Sequence, residues 1–271
     1  MPIRRDESGR RYVQAEVEVP GSPEEVWNAI ASGPGISSWF VPTTVEERPG
    51  GTSTSSFGPG MDSSAIITEW NPPRRFVAES RDDTGPGAPT VATEWIVEAR
   101  SGGTCTVRVV HSWFADTDDW DSQFEGHEFG WQGFFKILRL YLEHFSGQPC
   151  SAFQVMGVSQ EPIGQAWQTF THLLGVDDMI ERQAVVSAAG APTLSAVVED
   201  LGPVEFPSAL LRLTQPAPGL AHFFPIQMDQ VYVSVRVFLY GPRGAEVASD
   251  AELAWQAWMA EHFPLPDRLA S

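Results

Sequence analysis

The order of local sequence patterns in this chain occurs twice, and this repetition restricts the fold more than any other feature. A strand pattern, a short helix, several strand patterns and a final helix run to about residue 147, and the order then restarts. Both copies also end alike, because Trp131-Gln132 leads to Glu143-His144-Phe145 and Trp255-Gln256 leads to Glu261-His262-Phe263. We therefore predict two domains of one type, at residues 10–147 and 151–265.

The first copy begins with a clear strand and a clear helix start. Residues 12–19 alternate between valine or alanine and polar residues, which indicates a half-buried strand. Ser22-Pro23-Glu24-Glu25 then supplies a helix N-cap, a proline at the first helical position and a glutamate three residues after the cap. Further strands are predicted at 43–48, 52–57, 63–70, 75–80, 91–99 and 105–113, and a long amphipathic helix at 129–145.

Runs of consecutive strands predict an antiparallel sheet rather than alternating parallel units. A curved sheet with one long helix must bury that helix against its concave face, and this leaves a slot between the two. The predicted fold class is thus α+β, with the helix-grip architecture of a curved antiparallel sheet around a long C-terminal helix, present as two tandem copies.

The second copy is predicted to be the smaller one. Its strand patterns lie at 153–158, 181–187, 193–199, 208–214 and 231–240, and its final helix runs from about Asp250 to Phe263. Fewer strands and a shorter final helix leave less room inside. We therefore expect a reduced domain that serves as a structural partner, with the larger cavity in the first copy.

Charge and cysteine content exclude several classes of function. The formal net charge is −18, from 17 Lys and Arg against 35 Asp and Glu. Such a chain repels phosphate backbones and anionic lipids, so no nucleic-acid partner and no membrane partner are expected. The first residues carry no apolar signal-peptide segment, and two cysteines form neither a disulfide framework nor a CxxC motif. We expect a cytoplasmic protein in which Cys105 is a small core residue.

The sequence contains no complete cofactor or metal motif. The glycine-rich pieces lack the forms that cradle phosphates, so neither ATP hydrolysis nor a nucleotide cofactor is expected. His127-Glu128 fails the HExxH zinc motif because Trp131 stands at the second histidine position. The acidic segment at 116–125 lacks the glycine and the closing glutamate of a calcium loop, and is interpreted as a solvated loop. No cofactor and no metal are predicted.

A set of aromatic and apolar residues around one histidine forms the candidate ligand-binding site. His111 shares a strand face with Val107, Val109 and Trp113, and a hairpin turn at 101–103 places Trp95 on the same side. His111 either orients a ligand or moves a proton, or is a core histidine bonded to backbone or water. The rings either line a pocket or fill it themselves. The predicted ligand-binding residues are Trp39, Phe57, Phe76, Trp95, Val109, His111, Phe134, Ile137 and Tyr141.

The first copy also resembles a known family. The resemblance rests on the Ser22–Trp27 helix start, the Trp39-Phe40 pair, Glu69-Trp70 before Pro72-Pro73, and Gly130-Trp131 opening a helix that ends in Tyr141-Leu142-Glu143. These features are similar to the heat-shock protein 90 ATPase activator-like branch of the START/SRPBCC superfamily, over about residues 10–147. The resemblance implies a helix-grip fold with a cavity between sheet and helix. It carries over no catalytic residue.

Members of that superfamily include carriers of hydrophobic ligands, polyketide cyclases and aromatases, and a co-chaperone domain. The co-chaperone activity belongs to proteins with an additional N-terminal domain, for which we expect no room here. We predict that the first domain binds or carries a small hydrophobic or aromatic molecule. Since no catalytic motif is found, this prediction favours a protein that is not an enzyme. The alternatives are a cyclase- or aromatase-like enzyme in which His111 or Glu128 handles a proton, and a protein-interaction or co-chaperone-like module. The sequence leaves a homodimer open.

Overall fold

The chain divides after Gly147 into two compact units, Met1–Gly147 and Gln148–Ser271. The computed structural model describes residues 4–5, 10–57, 62–80, 90–113 and 121–266, with the side chains of 121–130 left out. Among the helices so described, none combines the length and the apolar character that a membrane crossing requires.

The first unit is an eight-stranded antiparallel sheet with three helices. Its spatial strand order is β1-β2-β8-β7-β6-β5-β4-β3. The strands and helices in chain order are β1 (Arg4–Arg5), β2 (Arg11–Pro20), α1 (Pro23–Ala31), α2 (Gly33–Ser37), β3 (Thr43–Val45), β4 (Thr52–Ser56), β5 (Asp62–Asn71), β6 (Arg75–Ser80), β7 (Val91–Ala99), β8 (Thr104–Trp113) and α3 (Asp121–His144).

Helix α1 begins as the sequence predicts. The Ser22 side chain accepts a hydrogen bond from the Glu25 backbone, and the Glu25 side chain accepts one from the Ser22 backbone, which completes a capping box. The helix buries Val26, Trp27 and Ile30. Trp27 of this helix packs against Trp70 and Phe76 of the sheet.

The long helix α3 packs along β2 and begins earlier than predicted, at Asp121 rather than at Phe129. The acidic residues from 121 to 125 had suggested loop. Carboxylates in a first helical turn interact favourably with the helix dipole, so acidic composition does not exclude a helix start. Buried residues at helical spacing, Ile137, Leu138 and Tyr141, form the face that meets the sheet.

The second unit repeats the plan with a six-stranded antiparallel sheet in the order β10-β11-β12-β13-β14-β9. Its elements are β9 (Cys150–Ser159), α4 (Ile163–Leu174), β10 (Ala184–Val186), β11 (Ser195–Leu201), β12 (Ala209–Gln215), β13 (Gly219–Gln227), β14 (Val231–Tyr240) and α5 (Gly241–His262). A core of valine, leucine and aromatic side chains fills the space between this sheet and its two helices.

Two predictions for the second unit were wrong. Strand β13 was missed, and α5 begins at Gly241 rather than near Asp250. The helix therefore has 22 residues against 24 in α3, so the two final helices are nearly equal in length. Gly241 and Pro242 do not prevent an earlier helix start, because proline is well tolerated in the first helical turn. The second copy is reduced in its sheet rather than in its helix.

Two antiparallel sheets, each carrying a long C-terminal helix, confirm the predicted α+β fold of two tandem helix-grip copies.

Candidate ligand-binding site

The inner face of β6, β7 and β8 brings three of the predicted residues into one row. Phe76 pairs with Trp95 across β6 and β7, and Trp95 pairs with Val109 across β7 and β8. The Phe76 and Trp95 rings stack with their centroids 6.2 Å apart, and Trp39 meets Trp95 edge-on at 6.3 Å. The row therefore presents a continuous aromatic surface toward α3.

Trp131 of α3 joins this row to the rings near α2. Its ring stacks on Phe40 at 5.3 Å and meets Trp95 edge-on at 5.1 Å. Phe40 in turn contacts Phe57 at 5.6 Å and Phe134 at 4.4 Å. We call the connected set the aromatic wall; its members are Trp27, Trp39, Phe40, Phe57, Trp70, Phe76, Trp95, Trp131, Phe134 and Phe135.

His111 is half-buried beside this wall, and both of its ring nitrogens have side-chain partners. The Trp131 indole N–H donates to Nε2 at 2.6 Å, and the Thr93 hydroxyl lies 2.9 Å from Nδ1. An indole nitrogen only donates, so Nε2 is the acceptor and the neutral ring carries its proton on Nδ1, which donates to Thr93. His111 thus fixes Trp131 on the sheet.

The inner face of β4 and of the first half of β5 is different, because its side chains are small. Ser53 pairs with Ala65 and Ser55 pairs with Ser63, and all four are half-buried. They lie on the same face as Ile67, which is fully buried. We call these four residues the small-residue floor. In the part of the chain that the structure describes, the long helix packs mainly along β2, which lies near the opposite end of the strand order from β4 and β5.

The predicted site residues fall into three groups. Trp39, Phe76, Trp95, Phe57 and Phe134 belong to the aromatic wall, of which Phe57 is the most exposed at 38%. His111 lies beside the wall. Val109, Ile137 and Tyr141 are buried in the core of the unit.

Sequence reasoning missed several residues of the site. Phe40, Trp131 and Phe135 are central to the aromatic wall, Thr93 is the partner of His111, and the small-residue floor was not singled out. Helical spacing offered one signal, since Trp131, Phe134, Phe135 and Leu138 follow the i, i+3, i+4, i+7 pattern of a single helix face. The floor offered another, since serine recurs at every second position of β4.

Ionisable groups around the site have structural roles. Cys105 is fully buried and its thiol lies 3.4 Å from the Gly21 carbonyl; burial raises its pKa, followed in effect by Glu24 and Glu25. Arg75 bonds both Glu94 and Glu69, which raise its pKa. Among the residues that the structure describes, no cluster of histidine, cysteine and carboxylate has the make-up of a metal site.

Some predicted features lie outside what is described. Asp116, Asp118 and Asp119 of the acidic segment are not described, and of Asp121, His127 and Glu128 only the backbone is. Asp121 lies in α3, so the predicted loop is wrong from that residue onward, whereas the loop at 116–119 and the role of Glu128 as a base stay predictions.

The interior of the second unit is filled by rings. Phe170 contacts Phe223, Trp258 and Phe263, and Trp255 contacts Phe223 and Trp258. A cleft of about 220 Å³ lies elsewhere in this unit, at the sheet edge beside the C-terminal end of α4, lined by residues 175–180, 183–186 and Val198. It does not lie between β14 and α5. The aromatic wall and the small-residue floor consist of residues of the first unit.

An antiparallel sheet that carries a long C-terminal helix, with aromatic and small side chains on different parts of its inner face, defines the first unit as a helix-grip domain. Residues 20–143 match the family described as Activator of Hsp90 ATPase homolog 1-like protein. This match lies within the first unit and confirms the resemblance that its sequence suggested. No curated protein matches the chain.

Several solved structures are similar to the chain. BexL, described as a di-domain ARO/CYC from the BE-7585A biosynthetic pathway, is 12% identical over 94% of this chain and 99% of its own, with a TM-score of 0.47. DynU16, from the dynemicin biosynthetic locus, is 16% identical over 94% and 96%, with a TM-score of 0.42. The Aha1 dimer from Colwellia psychrerythraea is 18% identical over 50% and 98%, with a TM-score of 0.42. At these scores the likenesses are distant and assign no function.

Proposed function

We propose that the first unit binds a small, flat, largely apolar molecule between the aromatic wall and the small-residue floor. The observation that carries this proposal is the unequal filling of one sheet face. Bulky rings occupy the inner face at β6 to β8, whereas Ser53, Ser55, Ser63 and Ala65 occupy it at β4 and β5. Concave sites that combine apolar walls with a few polar groups are typical of small-molecule binding.

The geometry supports binding rather than catalysis. A proton-transfer residue needs a ring nitrogen that can reach a substrate, and both nitrogens of His111 are engaged, by Thr93 and Trp131. Using either nitrogen for chemistry would break a hydrogen bond that holds the aromatic wall. We therefore favour a cytoplasmic carrier or sensor of an aromatic metabolite over a cyclase- or aromatase-like enzyme.

The proposal is tested by filling the slot from its floor. Ala65 lies on the inner face of β5, while its neighbour Ile66 is 50% exposed on the outer face. A phenyl ring at 65 occupies the space that a ligand needs, and the same ring at 66 points away from it. The Ala65→Phe and Ile66→Phe variants therefore form a matched pair.

The neutral fluorescent probe N-phenyl-1-naphthylamine is titrated into the wild-type chain and both variants. We expect Ala65→Phe to weaken binding by about tenfold or more, since forcing a ring into occupied space costs on the order of 1–3 kcal/mol. Ile66→Phe should bind as the wild type does. Equal affinities for both variants, or no binding by the wild-type chain, would contradict the proposal. Native mass spectrometry of freshly purified protein adds an independent search for a co-purifying molecule.

A further inference from the structure

The hydroxyl of Ser55, a residue of the small-residue floor, lies beside a second hydroxyl on the neighbouring strand. Thr43 of β3 pairs with Ser55 of β4, and their side-chain oxygens are 3.0 Å apart. Thr43 is buried and Ser55 is half-buried. Ser55 lies two residues before Phe57, which directly follows the end of β4, and the Phe57 ring contacts Phe40 of the aromatic wall. As a residue of the small-residue floor, Ser55 borders the proposed slot.

The direction of this hydrogen bond follows from a third partner. The Thr43 hydroxyl donates to the Val41 carbonyl oxygen at 2.9 Å, and a carbonyl oxygen only accepts. The single proton of Thr43 is therefore committed, so the proton between the two hydroxyls must come from Ser55. With its own proton directed at Thr43, Ser55 has only acceptor lone pairs left for the slot.

We infer that Ser55 selects ligands that carry a hydrogen-bond donor. The ligand class is an aromatic molecule with a phenolic O–H or an N–H at the edge that meets β4, so that this group donates to the Ser55 oxygen. An ether or a carbonyl at the same position would face an oxygen with no proton to give, and would lose its hydrogen bond to water without replacement. This inference rests on the proposed function and adds that the ligand carries a hydrogen-bond donor.

The outer face of the same strands provides a matched control. Thr54 and Ser64 pair across β4 and β5, with their side-chain oxygens 2.9 Å apart. Both residue types and the cross-strand pairing resemble those of Thr43 and Ser55, but alternation places them on the opposite face. Replacing Ser64 therefore removes a similar hydroxyl without changing the slot.

The test uses two probes of nearly equal shape, 1-naphthol and 1-methoxynaphthalene, with the wild-type chain, Ser55→Ala and Ser64→Ala. Only 1-naphthol can donate a hydrogen bond. We expect the ratio of its affinity to that of the ether to fall by about three- to tenfold in Ser55→Ala, the range that one net hydrogen bond gives. The ratio in Ser64→Ala should equal that of the wild type.

Thr43→Val provides a second variant with a distinct expected result. Without the Thr43 oxygen, the Ser55 hydroxyl can donate its hydrogen bond to a ligand in the slot. The ether should therefore bind more tightly, and the ratio of the affinity for 1-naphthol to that for the ether should fall. An unchanged ratio in both Ser55→Ala and Thr43→Val would overturn the inference while leaving the proposed function intact, provided that both probes bind and Ala65→Phe excludes them. Failure of both probes to bind would overturn the two together.

Discussion

Trp131 donates its indole N–H to Nε2 of His111 across 2.6 Å, and this bond ties the long helix of the first unit to its sheet. The partners lie 20 residues apart in sequence and on different elements. Because His111 also bonds Thr93 on the neighbouring strand, one histidine fixes the position of a helix residue relative to two strands. Trp131 is at the same time the ring that joins Phe40 to Trp95, so the bond holds the centre of the aromatic wall.

Replacing His111 with phenylalanine should therefore lower stability more than binding. The change leaves the Trp131 N–H and the Thr93 hydroxyl without their partner, and we expect a loss of about 1–3 kcal/mol in the free energy of unfolding. Binding of N-phenyl-1-naphthylamine per folded molecule should stay the same, because Phe40 and Trp95 still pack against Trp131. Urea denaturation and probe titration on one preparation measure both quantities.

The control for this change is His172→Phe in the second unit, whose imidazole side chain is 78% exposed. Substitutions at such surface positions usually alter stability by no more than about 0.5 kcal/mol. If His111→Phe weakens probe binding and leaves the unfolding curve in place, His111 contacts ligand and its role as a structural link is wrong.

The sequence placed His111 on the correct strand face but not its partners. Alternation along a strand identifies a face, and a hairpin turn identifies the neighbouring strand, so Trp95 and His111 were expected on one side. The meeting of His111 with Trp131 depends on how far α3 slides and rotates over the sheet, which no local pattern determines. For that reason a histidine bonded to backbone or water was the expected core arrangement, whereas its partners are side chains.

Strand β13 shows a second limit of local patterns. Its sequence contains Gly219 and Pro225, both of which argue against a strand. The last pair that β13 makes with β12 joins Phe223 to Ala209, so Pro225 lies beyond it and pairs only with Val233 of β14. Where a strand pairs with a neighbour on one side alone, a backbone N–H that is missing at proline costs little stability. How many neighbouring strands a residue has depends on the assembled sheet, so the local sequence pattern does not reveal it.

Acid should weaken the start of α1 through Glu25. Hydrogen bonds from the Ser22 backbone and side chain lower the pKa of Glu25. Between the lowered folded value and the unfolded value, the unfolded chain binds more protons, so stability rises with pH in that window. The contribution is complete above the unfolded value and is lost as pH falls through the folded value.

Glu25→Gln should therefore remove part of the pH dependence of stability on the acid side, measured by urea denaturation at a series of pH values from about 6 to 3. Glu24→Gln, one residue earlier, removes the same charge from the same helical turn and leaves the capping box in place. Identical pH profiles for the two variants would show that the capping box contributes nothing specific.

Gly157 of β9 should tolerate no side chain. A Cβ atom there would lie 2.3 Å from the carbonyl oxygen of Phe263 and 2.5 Å from its Cβ, at the end of the final helix. The same segment is tied to the strand by the bond from Val158 N–H to the Phe263 carbonyl at 3.1 Å. Gly157→Ala should lower the free energy of unfolding by about 1–3 kcal/mol, as overpacking does.

Gly164→Ala is the matched change, because nothing lies within 4 Å of a Cβ at that position in α4. Alanine favours a helix over glycine by up to about 1 kcal/mol, so this variant should be neutral or more stable. Thermal and urea denaturation measure the free energy of unfolding of both variants. Equal losses in the two would show that the contact between β9 and the helix end is not tight.

Arg236 of β14 is a buried cation of the second unit. We expect the free energy of unfolding of this unit to depend on its partner Gln154. The Nε and Nη2 of Arg236 donate to the Gln154 side-chain oxygen at 3.0 and 2.9 Å, and burial lowers the pKa of Arg236 to about 10. The guanidinium remains charged at neutral pH. Gln154→Leu removes the acceptor of two charged donors, and we expect a loss of about 1–3 kcal/mol in the free energy of unfolding, since buried donors left without a partner carry that penalty.

Gln154→Glu separates the loss of a hydrogen bond from the loss of packing. A carboxylate keeps the acceptor and adds an opposite charge, so this variant should recover most of the stability that Gln154→Leu loses, and should raise the pKa of Arg236. Gln165→Leu, at an exposed position of α4, provides the control for the change of residue type. If Gln154→Leu is as stable as Gln165→Leu, the Gln154 side chain is not a needed acceptor, and the charge of Arg236 is compensated by its other interactions.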